Sequence, residues 1–188
     1  MAALFRIRLK IYLICILVLT TAPKHVNASD AVAKDEQWGM AVNVHDMNGC
    51  QANIDIDQQK FSAQLPEMIE SGLFNKRLDP EAGNSAFHYL ANIFSVELFK
   101  EIIPKVMRSV KNESCHFSYS YISTDQYGND DKKPMFSFDF SQSTYQKINW
   151  DRFDPDNVRT VSKQFSVSPE FNELVQQESF SVLIMLKN

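Results

Sequence analysis

Residues 84–111 read NSAFHYLANIFSVELFKEIIPKVMRSVK, and the period of their apolar side chains decides the fold class. Phe87, Leu90, Ala91, Phe94, Leu98, Ile102 and Val106 recur at steps of three and four, the spacing that puts side chains on one helical stripe. Phe99, Ile103 and Val110 widen the stripe, while Glu97, Lys100, Glu101, Lys105 and Arg108 point elsewhere. This is the longest helical signal in the chain. Asn84 or Ser85 suits its N-cap. Pro104 lacks a backbone N–H and disfavours helical dihedrals at Ile103, so a kink near Ile103 or two abutting helices, 84–103 and 104–111, are expected, with both pieces facing one core. The mixed charge of the polar face speaks against a membrane or nucleic-acid surface.

Downstream the period changes from 3.6 to 2. Phe117, Tyr119 and Tyr121 alternate with His116, Ser118 and Ser120, and Phe136, Phe138 and Phe140 alternate with Ser137, Asp139 and Ser141. Between them lies a stretch from Thr124 to Pro134 rich in Gly, Asn, Asp and Lys, which predicts a hairpin. Upstream, Gly39–Val44 and Cys50–Asp57 flank Asn48-Gly49 and predict another. A short helix over 62–74, capped by Ser62, and a loop over 75–83 follow it. Toward the C-terminus, Lys147–Trp150 reads as a strand or strand end and Val158–Val167 as a strand. Pro169–Gln176 reads as a short helix, and the apolar run Phe180–Leu186 as a buried central strand. The expected fold is α+β: an antiparallel sheet of five to six strands packed on one long kinked helix plus one short helix.

The N-terminus carries Arg6, Arg8 and Lys10, then an apolar run from Ile11 to Leu19, then Val26-Asn27-Ala28. That order matches a cleaved export signal, so we expect residues 1–28 to be a signal peptide cut after Ala28, 29–37 a flexible leader, and 38–188 a single α+β domain. The location implied is periplasmic or secreted, with no stable membrane insertion after cleavage. Removing Arg6, Arg8, Lys10 and Lys24 leaves 15 Lys and Arg against 23 Asp and Glu, a net charge of −8. Such a charge repels phosphate backbones, which excludes nucleic acid as a partner and favours a protein with a basic surface. Cys50 and Cys115 remain in the mature chain, and in an exported protein they read as one disulfide.

Catalytic signatures are sparse. His116 and Asp139 could form an acid–base pair if strand register brought them together. No nucleophile elbow or phosphate loop accompanies them. Cys50, Cys115 and His116 are too few and too far apart for a zinc site. Asp125, Asp130 and Asp131 resemble a calcium loop only in composition: the glycine is misplaced and no Glu closes the loop. The reading is therefore of a chain with no metal and no cofactor. Asn112-Glu113-Ser114 matches a glycosylation acceptor. The sequence favours an exported, non-catalytic protein-binding module, such as an inhibitor, an immunity-type protein or an envelope assembly factor. Asp125, Asp130 and Asp131 are then its candidate partner-binding residues. The alternative is a small hydrolase using His116 and Asp139, or an apolar-ligand binder with a pocket between sheet and helix.

Overall fold

A computed structural model describes residues 36–37, 39–46, 49–71 and 86–185, with side chains described as far as Ser179. The expected signal segment, most of the expected leader and the loop over 75–83 lie outside the described residues. Those described all belong to one compact unit, 31–188.

Six strands form one sheet in sequence order: β1 (Glu36–Gln37), β2 (Met40–His45), β3 (Cys50–Asp57), β4 (Ser114–Thr124), β5 (Asp130–Ser141) and β6 (Lys163–Val167). Both expected hairpins are present. The pair β2–β3 runs antiparallel from Met40 opposite Ile56 to His45 opposite Gln51. The pair β4–β5 runs antiparallel with Phe117 opposite Phe138 and Tyr119 opposite Phe136. The sheet is not antiparallel throughout, however. Strands β3 and β4 pair in parallel, Cys50 opposite Cys115 through Asp57 opposite Ile122. The cause is the connection. A parallel pair needs a long crossover, and among the described residues it contains α1 (Gln58–Glu70), α2 (Phe87–Glu97) and α3 (Phe99–Ser109).

Alternation along the strands gives the sheet two chemically distinct faces. Val42, Ile54, Phe117, Tyr119, Phe138 and their neighbours are buried on one face, where they join Phe61, Phe87, Phe94, Phe99 and Ile103 from the helices. The rings meet edge to face or stacked: Phe61 lies 5.5 Å from Phe94, and Phe117 stacks on Phe138 at 5.1 Å. Cys50 and Cys115, direct neighbours with Cα atoms 4.5 Å apart, are disulfide-bonded. Closing a loop of 65 residues contributes about 4 kcal/mol in the chain-entropy picture.

The long helix breaks, but not at Ile103. It breaks at Leu98, and Pro104 sits buried inside α3. Pro104 is the sixth residue of α3 and leaves the Lys100 carbonyl without its i+4 amide donor. The Ser95 hydroxyl donates to the Ala91 carbonyl at 2.7 Å just before the break, a back-bond that bends helices.

Helix α1 starts earlier than expected. Asp57, the last residue of β3, is its N-cap and accepts from the Lys60 N–H at 3.0 Å, so Ser62 falls inside the helix. The strand passes straight into the helix beneath Gly39, whose carbonyl accepts from Asp57 N–H at 2.8 Å.

The C-terminal third departs most from expectation. Lys147–Trp150 is no strand: α4 (Gln142–Lys147), capped by Ser141, ends there. Residues 158–167 divide into a short helix α5 (Val158–Val161), preceded by a 3-10 turn at Pro155–Asn157, and then β6. The expected central strand at 180–186 does not form. Residues 180–185 continue α6 (Pro169–Met185) without interruption, so the helix is twice the expected length. Ser168 caps α6 and Pro169 occupies its first position, both strong start signals, and no turn residue follows to stop it. Among the described residues no helix is long and apolar enough to cross a membrane.

Candidate functional site

The sheet face opposite the helices is polar, because the residues between the buried positions are Asn43, Gln51, Asn53, Asp55, His116, Ser118, Ser137 and Asp139. Register brings His116 and Asp139 together as direct cross-strand partners, with His116 Nδ1 and Asp139 Oδ1 2.7 Å apart. The imidazole side chain is 44% exposed. A carboxylate on Nδ1 orients the ring and leaves Nε2 for other work, the arrangement a general base requires. Ser118 and Ser137 pair beside it, and with Ser166 and Ser168 they line a shallow groove of about 340 Å³. Yet among the described residues no serine hydroxyl hydrogen-bonds His116, so the pair lacks an activated nucleophile. Nor do three His, Cys, Asp or Glu side chains gather there as a metal site.

The β4–β5 tip extends past the end of β3, whose last partner on β4 is Ile122. Here the three candidate acids have separate structural duties. Asp125 Oδ1 accepts from the N–H groups of Tyr127 and Asn129, both at 2.8 Å, and Oδ2 accepts from the Asn129 amide at 3.1 Å. These bonds, those from Asn129 foremost, hold the Asp125 carboxyl below its ordinary pKa. Asp130 accepts from the Thr124 hydroxyl at 2.8 Å, and Asp131 lies 3.6 Å from Lys133. Gly128, at φ +82°, closes the turn in a conformation that suits glycine.

What this scaffold displays is Tyr127, 80% exposed, the only large hydrophobic side chain so open among the described residues. The sequence reading passed over it. Its signal was there, an aromatic inside a run of Asp, Gly and Asn, where a turn has no use for one.

Two further groups have structural roles. His88 is packed at the start of α2 against Tyr121 and bonded to Glu178. The side-chain amide of Asn112, in the acceptor pattern, donates to Asp46. Comparison with known protein families, with curated proteins and with solved structures finds no match.

Proposed function

We propose that this protein is an exported, non-catalytic binding module that works outside the cytoplasm by engaging another protein through the β4–β5 tip. The observation that carries the reading is Tyr127, held out by a turn whose bonds Asp125 organises. Exposed tyrosine on a rigid scaffold is the usual anchor of a binding surface, since it offers large area at low entropy cost. Asp125, Asp130 and Asp131 around it add a negative field that would steer a partner with a basic surface. The disulfide and the signal-like N-terminus support a location in the periplasm or outside the cell.

The test places a photo-crosslinking residue at position 127, and at the exposed position 146 as a control, in cells of the source organism. A protein captured at 127 alone is then used for binding kinetics. Tyr127→Ala should weaken binding by about tenfold or more with unchanged melting temperature. Substituting Asp130 and Asp131 with Asn should slow association, more so at low salt. Unaltered kinetics in Tyr127→Ala would move the interface elsewhere. A turnover lost in His116→Ala would replace this reading with the hydrolytic one.

A further inference from the structure

A second concave site lies on the helix-covered side of the sheet and shares no residue with the tip. It is a cleft of about 340 Å³ whose apolar walls include Phe99 from α3, Phe136 from β5 and Phe165 from β6. The backbone is bent to build it. Gln164, a non-glycine residue at φ +53°, interrupts β6 where its register with β5 slips. Such irregularities re-aim the neighbouring side chain. Here the Phe165 ring stacks on Phe136 at 6.0 Å and on Phe138 at 5.7 Å.

Three polar side chains line this aromatic cleft: Asn92 from α2, Asp156 from the 3-10 turn and Arg159 from α5. Asp156 and Arg159 are three residues apart along one short helical stretch, a spacing that puts them on one side of it. They form no ion pair with each other or with any other charge among the described residues. The Arg159 guanidinium instead sits 5.1 Å over the Phe165 ring. Half-buried Asn92 makes no side-chain hydrogen bond among the described residues. Asp156 and Arg159 are exposed, and with half-buried Asn92 they set a cation, an anion and an amide at the rim of one aromatic-walled cleft, the composition of a small-molecule site.

We infer that this cleft binds a free α-amino acid with an apolar side chain. Arg159 takes the carboxylate, which its planar fork suits. Asp156 takes the ammonium. The Asn92 amide, donor and acceptor at once, can serve either end of the head group. The partly buried Phe165 ring receives the side chain, with the narrow exposed edges of the core rings Phe99 and Phe136 beneath it. A plain carboxylate would leave Asp156 facing like charge, and a plain amine would leave Arg159 likewise, so the pairing selects the zwitterion.

Isothermal titration of the whole mature chain tests this with four probes: L-phenylalanine, L-leucine, 3-phenylpropionate and phenethylamine. At least one amino acid should bind, and both single-charge analogues should bind at least about tenfold more weakly, the loss of one charge-assisted contact. Arg159→Gln keeps the stem over Phe165 and removes the charge; Asp156→Asn does the same for the acid. Each should weaken the amino acid about tenfold with the melting temperature unchanged. The inference is overturned by absence of binding at millimolar amino acid. Equal binding of 3-phenylpropionate, or affinity retained in both variants, would overturn it as well.

Discussion

Glu178 of α6 caps a helix to which it does not belong. Its Oε2 accepts the backbone N–H of His88 at 2.7 Å and that of Tyr89 at 3.4 Å, while Oε1 lies 2.8 Å from His88 Nδ1. The N-cap position of α2 is Ala86, which has no side chain to offer. A carboxylate 90 residues away in sequence does the work, on the end of the helix dipole where negative charge is favoured.

Removing that carboxylate should therefore cost more than an ordinary surface change. Glu178→Ala is expected to destabilise by about 1–3 kcal/mol, the range for a lost cap plus an orphaned buried donor. Urea unfolding measures it. Glu173→Ala, on the exposed side of the same helix, should stay within about 0.5 kcal/mol.

The Asp125 turn predicts a pH dependence. Its carboxyl is held below the unfolded value of 3.8 by bonds that only the folded turn provides. A carboxyl depressed on folding stabilises fully above its unfolded pKa, and the contribution is lost as pH falls through the folded value. The tip should thus loosen only in acid, below about pH 3.8, and not in the neutral range. Amide exchange at Tyr127 and Asn129 against pH would show it, and Asp125→Ala should abolish the transition, with faster exchange than the parent above it and the same exchange in acid below it.

Tyr119 makes a prediction of opposite sign. It is fully buried, stacked 4.5 Å from Phe136, and its hydroxyl has no hydrogen-bond partner among the described residues. Burial pushes its pKa far up. An unsatisfied buried hydroxyl costs about 1–3 kcal/mol, so Tyr119→Phe should stabilise, by about 1 kcal/mol once the loss of dispersion is counted. Thermal unfolding at neutral pH would register the gain, and a loss would mean the hydroxyl is satisfied.

Phe94 and Glu97, one helical turn apart on α2, test the phase of the helix. Phe94 is 1% exposed, and Phe94→Ala should cost about 3–5 kcal/mol. Glu97 is exposed, and Glu97→Ala should cost no more than about 0.5 kcal/mol. Chemical denaturation of the two variants side by side decides it.

What could be read from sequence was what local chemistry writes there. Phe117, Tyr119, Tyr121, Phe136, Phe138 and Phe140 alternate without exception, and all six are buried in the expected hairpin. The Cys50–Cys115 bond followed from parity, and the His116–Asp139 pair from alternation. What was not legible depended on the rest of the molecule. Whether β3 meets β4 in parallel is set by how the helical segment between them crosses. The run at 180–186 has no period, so strand and helix fit it equally, and only the start at Ser168 and Pro169 decides. The cleft draws on α2, α3, β5, β6, α5 and the turn before it, and Asn92, Asp156 and Arg159 have no spacing that would announce it.

The helical crossover between β3 and β4 also sets an order of assembly. During synthesis the β2–β3 hairpin emerges with one edge unpaired, and it stays so until the segment ending at Thr124 has followed. Pairing across such a separation raises contact order and slows folding. An open strand edge in that interval invites pairing with other chains. Cys50 waits beside that edge as a free thiol, open to capture by foreign disulfides until Cys115 arrives. Docking β4 onto β3 and closing the covalent loop are thus one event in the oxidative folding of this chain, and β5 and β6 extend the sheet from there.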